Sequence, residues 1–341
     1  MLRIGYFGDG LWASRALAHI AARPDIFSVA FITPRFDTQD PALKDWAKKL
    51  GVPFLPCENV NDPSFMAQIA SYGCDLLVSM SFNRILKEDI IKATPKGFIN
   101  CHAGALPFYR GRNPLNWVLI NGEKEFGVTV HYVDAGIDTG DILVQNKVPV
   151  TREDHYATLL EKAHESCAQT LLEALSLIES GREQSRKQKD IDPVGFYCGR
   201  RREGDEWIDW QSSSEDILNF IRALNAPGPG ARSLSEKGEI ALLSAAGIPD
   251  APVYKGTCGE VVGRAENGVI VKTGDSTILV KEAAMVGEGG TLSDPFLPRW
   301  RIGTRLGLSP LTELHRLHKV VAGFEDMLVE MRREINRLKE K

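Results

Sequence analysis

Over its first hundred residues the chain alternates short apolar β-type runs with amphipathic helical stretches, a rhythm that few architectures can produce. Leu2 to Phe7 reads as a strand ending in the Gly8, Asp9, Gly10 turn, and Leu11 to Ala22 reads as a helix. Phe27 to Thr33 is a second strand, Pro41 to Leu50 a helix, and Val52 to Leu55 a short third strand. Pro63 to Tyr72 is helical, Leu76 to Ser79 a buried strand, Leu86 to Ala93 a short helix, and Gly97 to Asn100 the next strand. Strands alternating with helices predict an α/β fold with a parallel sheet covered on both faces. Ligands of such sheets bind beyond the carboxyl ends of the strands. Gly8 to Gly10, Ser79 to Phe82 and Asn100 to His102 all fall at such ends, so they converge on one cleft.

Further along, Phe126 to Val133 and Ile142 to Val148 add strand signals, and Tyr156 to Ile178 is a long amphipathic helix. The polar run from Gly181 to Asp192 reads as a linker. Beyond it the character changes: β-branched runs at 261–263, 268–272 and 276–281 are separated by Gly-rich turns, the pattern of a small β-barrel. The last thirty or so residues differ again. Leu314, Leu317, Val321, Phe324, Leu328, Met331, Ile335 and Leu338 recur three and four apart, an a/d heptad pattern that predicts a coiled coil and a homodimer.

Chemistry concentrates where the sheet would end. Asn100 and His102 are two residues apart, and in a strand i and i+2 share a face, so amide and imidazole lie side by side. Asp138 sits in a Gly-flanked loop that returns a carboxylate to the same place. An amide donor, an imidazole base and an orienting carboxylate are what acyl transfer to an amine requires. Alone, a buried amide or a core histidine is an ordinary structural residue; the pairing ahead of a Pro- and Gly-rich loop gives it functional weight. Arg110, just past the pair, reads as a substrate contact, whereas Arg200 to Arg202 reads as a solvated basic face.

Several other chemistries are disfavoured. Gly5, Gly8 and Gly10 do not have the G-x-G-x-x-G spacing of a dinucleotide site. An aspartic protease needs a second copy of the Asp138, Thr139, Gly140 signature, and His131 and His155 lack metal-ligand spacing with His102. A net charge of −4 argues against a surface built to neutralise phosphate. Six scattered cysteines, no leader pattern and no long apolar run fit a soluble, cytoplasmic chain.

Asn100-x-His102, Leu106-Pro-x-Tyr-Arg-Gly111, Asp138-Thr-Gly140, Trp207 to Trp210 and Ala223 to Ala231 together resemble the formyltransferases that use N10-formyltetrahydrofolate. Within them the chain is most similar to enzymes that formylate amino sugars carried on nucleotides, such as the formyltransferase part of the UDP-aminoarabinose enzyme. Glu58 to Asp62, Arg110 to Glu123 and Gly199 to Asp205 carry that likeness. The resemblance implies a Rossmann-like formyltransferase domain over 1–190, an OB-like β-barrel over 205–300 and a heptad helix over 310–341. It implies Asn100, His102 and Asp138 as the catalytic set, and N10-formyltetrahydrofolate as co-substrate against Met80, Phe82, Ile85, Leu86, Asp134 and Gly136. The nucleotide-linked amino sugar would meet Gly8, Asp9, Gly10, Arg110 and Asn116. Methionyl-tRNA formyltransferases share the catalytic set, but the segment 34–41 lacks their basic insertion, so tRNA loses its electrostatic footprint. Hydrolysis of the formyl donor is a further alternative, and a non-catalytic scaffold the weakest.

Overall fold

The computed structural model describes residues 1–307 and 310–339, so the last two residues of the heptad stretch lie outside it. In chain order the elements begin with β1 (Leu2–Gly8), α1 (Gly10–Ala21), β2 (Phe27–Pro34), α2 (Pro41–Leu50), α3 (Pro63–Ala70) and β3 (Leu76–Met80). Next come α4 (Glu88–Ile91), β4 (Phe98–His102), β5 (Arg110–Gly111), α5 (Pro114–Ile120), β6 (Glu125–Tyr132), β7 (Ile142–Pro149) and α6 (Tyr156–Glu179). The chain continues through β8 (Tyr197–Cys198), α7 (Ser214–Leu224), β9 (Ala231–Ser235), β10 (Gly238–Gly247), β11 (Val261–Ala265), β12 (Gly268–Lys272), β13 (Thr277–Met285) and α8 (Pro310–Lys339).

Two compact units result: Met1–Asp205 with Asn219–Pro229, and Glu206–Leu218 with Gly230–Lys341. The first holds a six-stranded sheet in the order β2-β1-β3-β4-β6-β7. From β2 to β4 the strands are parallel. The all-parallel expectation fails beyond them, because β6 runs antiparallel to β4 and β7 antiparallel to β6. In β6, apolar Phe126, Val128 and Val130 share one face and Gly127, Thr129 and His131 the other, and both faces are buried.

Local chemistry sets the element ends. Asp40 and Asp62 each precede a proline at the first helical turn, and each carboxylate accepts a backbone N–H, from Ala42 at 2.8 Å and Ser64 at 2.9 Å. The strand expected over Val52 to Leu55 reduces to one bridge, Ile32 to Phe54, since Pro53 has no N–H to extend a ladder. On one face of the sheet Phe7, Phe31 and Phe98 are buried in ring contact, Phe31 edge-on to Phe7 and Phe98 tilted against it, each worth about 1.5–3 kcal/mol of burial. Phe82 meets Phe7 edge-on, with ring centroids 5.5 Å apart, which ties that core to the residues beyond β3.

The second unit contains a five-stranded antiparallel sheet, β11-β12-β13-β10-β9. Its described α8 side chains at the heptad positions from Leu314 to Leu338 are 48–67% exposed. Among the described residues no helix is long and apolar enough to cross a membrane.

Candidate active site

Register assembles the site. The parallel pairing of β3 with β4 puts Ser79 beside Asn100, and the antiparallel pairing of β4 with β6 puts His131 beside Asn100 and Thr129 beside His102. The loop after β6 starts where Val133 N donates to Phe98 O, then folds back so that Asp138 lies between two imidazoles. One Asp138 oxygen, Oδ2, is 3.7 Å from His102 Nδ1 and accepts the Gly111 N–H at 2.9 Å. The other, Oδ1, is 3.5 Å from His131 Nε2.

Hydrogen-bond partners fix the tautomers. His102 Nε2 is 2.7 Å from the carbonyl of Tyr109, which only accepts, so Nε2 carries the proton and Nδ1 is the basic nitrogen facing Asp138. Gly104 makes that contact possible: a Cβ there would sit 2.6 Å from His102 Nε2. His131 Nδ1 is 2.7 Å from Tyr132 O, so it too is protonated, which leaves Nε2 to accept from Asn100 Nδ2 at 3.3 Å. Asn100 Oδ1 accepts from Ser79 Oγ at 2.6 Å. The amide is thereby oriented, and its second N–H has no protein acceptor among the described residues.

Left-handed backbone clusters here. Ser81, Tyr109, Asn113 and Asp138 all have φ between 54° and 58°. Such conformations persist outside glycine only where the surroundings enforce them, and they gather at functional sites.

Burial pushes the Asp138 carboxyl up, but the pull of His102 and His131, exerted when these rings are protonated, and the Gly111 N–H outweigh it, holding the group well below the usual carboxylate range. A depressed folded-state value contributes stability above the unfolded value and loses it only as pH falls through the folded one. Unfolding by denaturant should therefore show wild-type stability falling more steeply than that of Asp138→Asn as pH drops below about 4. Parallel slopes for the two proteins would contradict this electrostatic picture.

Two cavities meet at His102. The larger, about 960 Å³, is lined by Asn100, His102 and Asp138 together with Phe82, Leu86 and Val133. The smaller, about 320 Å³, is lined by His102 with Trp12, Met80, Pro114, Tyr156 and Leu160. Ser81, Cys101, His102, Gly111 and Asn113 belong to both.

The other sequence expectations divide. Phe82, Ile85, Leu86, Asp134 and Gly136 line the larger cleft, whereas Met80 lines the smaller one. Asp134 shapes its loop, its Oδ1 accepting from Gly136 N at 3.1 Å and Thr139 Oγ1 at 2.6 Å. Arg110 is not brought to either cavity: it is buried, and its guanidinium binds Gln188 Oε1 at 2.7 and 3.0 Å and Val194 O at 3.2 Å. Gly8, Asp9 and Gly10 line neither cavity, and Asp9 is spent on Arg35 at 3.1 Å and on the Thr38 hydroxyl. Asn116 reaches the smaller cavity, but its amide donates to Ala223 O at 2.7 Å. Arg200, read as solvated, lines the larger cleft beside Arg84 and Arg112.

Sequence reasoning passed over two contributors. His131 reaches the site through inter-strand register, which no local pattern encodes, and the same register turns Ser79, already expected at the cleft, into the partner of Asn100. Gln188 lies in the supposed linker, yet Arg186 bridges Ile142 and Gln188 is buried, so that run packs onto the unit rather than leaving it.

Comparison with known proteins places these features. Residues 34–175 match the family described as Formyl transferase, and 201–288 match Formyl transferase, C-terminal domain. An N-formyltransferase from Helicobacter canadensis, solved in complex with folinic acid and dTDP-3-aminofucose, superposes with TM-score 0.60 at 20% identity, covering 82% of this chain and 99% of that one. A sugar N-formyltransferase from a Shewanella species gives TM-score 0.58 at 22% identity over 73% of this chain and 99% of that one. HypX from Aquifex aeolicus in complex with tetrahydrofolic acid gives TM-score 0.56 at 20% identity over 89% of this chain, which spans only 50% of it. At such identities the superpositions speak for the fold, while the matches along the sequence cover both units. The chain belongs to the formyl transferase family of enzymes.

Proposed function

We propose that this enzyme transfers a formyl group from N10-formyltetrahydrofolate to the primary amine of a nucleotide-linked amino sugar. The observation that carries the reading is the position of His102 on a wall common to two cavities, one suited to each reactant. The larger cleft has room for a flat heterocycle between Phe82, Leu86 and the 134–138 loop, and Arg84, Arg112 and Arg200 offer charge to carboxylates or phosphates. The smaller one, walled by Trp12, Tyr156 and Leu160, has room for a sugar ring. The folds that bind folate analogues and dTDP-amino sugars support the same assignment.

The bound donor supplies an acyl carbon already activated for displacement. His102 Nδ1 receives the proton that the attacking amine releases, and the imidazolium so formed is stabilised by Asp138. The free Asn100 N–H donates to the negative charge that develops on the formyl oxygen. The same proton then passes from His102 to the departing nitrogen, so the amine–carbon bond forms as the old carbon–nitrogen bond breaks. Incubation with formyl donor and a panel of UDP-, GDP- and dTDP-linked amino sugars, read by mass spectrometry, tests the proposal. Product carrying one added formyl group is expected; formate release without any acceptor would favour hydrolysis instead.

The reading extends to assembly. We take the second unit's sheet as a small OB-like barrel and the heptad face of α8 as covered by a second copy, making a coiled-coil homodimer. Seven described apolar side chains from Leu317 to Leu338, spaced three and four apart and all at least 48% exposed, support this. Phe324→Glu with Leu328→Glu should halve the mass measured by light scattering, and an unchanged mass would remove the coiled coil from the account.

A further inference from the structure

Gln188 occupies a single 3-10 turn, Gln188–Asp190, and is 3% exposed. Its carboxamide has two N–H donors and an oxygen with two lone pairs, and all four positions are used. Nε2 donates to the carbonyls of Asp138 and Gly140, both at 2.8 Å. Oε1 accepts from Arg110 Nε at 3.0 Å and Nη2 at 2.7 Å. The next residue after Arg110 is Gly111, whose N–H holds the Asp138 carboxylate at 2.9 Å. Asp138 is therefore gripped from both sides, its carbonyl by Gln188 and its carboxylate by Gly111, and the Arg110 fork ties those two grips together.

We propose that Gln188 is a positioning residue that clamps the 138–140 loop so that the Asp138 carboxylate stays between His102 and His131. Three features converge on this role. Asp138 has φ 54°, a conformation that the chain does not adopt unaided. Gly140 lets the loop close, since a Cβ there would lie 1.8 Å from Tyr132 O. Only glutamine supplies donors on one side and acceptors on the other at this length: glutamate would set an oxygen against two carbonyls, and asparagine is one methylene short. The buried Arg110 guanidinium finds its role here as well, because its fork occupies the carboxamide oxygen that faces away from the loop.

The kinetic consequence rests on the formyl-transfer reading, but the geometry does not, and the test separates them. Gln188→Glu keeps an acceptor for Arg110 and removes both donors to the loop. With the formyl donor and acceptor that serve wild type, kcat should fall at least about tenfold, toward the roughly hundredfold that an ångström of misplacement costs, with both KM values within about twofold. Arg110→Met leaves the loop bonds in place and should cost less. Gln188→Met, neutral and of similar length, repeats the measurement should the glutamate variant not fold. Hydrogen exchange at the Gly111 amide needs no substrate, and it should quicken at least about tenfold in either Gln188 variant. Wild-type kcat and Gly111 exchange in a folded Gln188 variant would overturn the proposal. So would a kcat loss matched by Arg110→Met, or failure of both Gln188 variants to fold, since each marks a merely structural residue. If wild type formylates no nucleotide amino sugar, the functional reading falls and Gly111 exchange still decides this one.

Discussion

Alanine at His102 should leave a folded enzyme that still binds the formyl donor but turns over about 10³-fold more slowly, within the ~10²–10⁴ that a positioned general base supplies. The direction follows from the tautomer. Tyr109 O commits Nε2 to donating, so the basic nitrogen that His102 offers on the wall shared by the two cavities is Nδ1, 3.7 Å from Asp138. Without it, the amine must lose its proton to water. Folding should survive because the ring's neighbours keep other anchors: Thr129 Oγ1 donates to Gly104 O at 2.6 Å, and the Tyr109 hydroxyl donates to Glu123 Oε1 at 2.6 Å. Steady-state kinetics alongside donor binding by calorimetry would check both halves. Turnover within tenfold of wild type would assign the base elsewhere, and His131, 3.5 Å from the same carboxylate, would be the nearest substitute.

Asn100 should be nearly as sensitive and more diagnostic. Losing one oxyanion donor costs about 10²–10³ in kcat, and Asn100→Ala should fall in that range. Asn100→Asp should be at least as poor although it is the same size. Aspartate retains an acceptor for the Ser79 hydroxyl but turns an oxygen toward both His131 Nε2 and the developing negative charge. A steric or purely packing role predicts the opposite order, with aspartate the milder change. Comparing kcat for the two variants at one pH, with acceptor KM as the control for binding, therefore separates electrostatic stabilisation from fit.

Much of this was readable before any coordinates. Period-two spacing alone set Asn100 beside His102, and four of the five strands expected from the strand–helix rhythm are the parallel ones that bring Ser79, Met80 and His102 to one edge. What escaped was whatever depends on partners chosen in three dimensions. His131 looked unrelated to Asn100 because their adjacency is a matter of register between β4 and β6. The polar run 181–192 looked like a tether because most of it is exposed, and composition cannot single out the buried carboxamide of Gln188 that fastens it. Arg110 was close in sequence to the right residues and was assigned to substrate. A guanidinium that long can turn inward as easily as outward, and the buried carboxamide of Gln188 decides which. Asp9 was misplaced for a similar reason, since Arg35 and Thr38 claim its carboxylate first.

The clamp that joins residue 188 to residues 110, 138 and 140 also bears on where the molecule gives way. It is made of a few polar bonds rather than a packed apolar face, and such segments open at lower free energy than core strands. Opening there should part Asp138 from its imidazole neighbours while the sheet and its aromatic core stay intact.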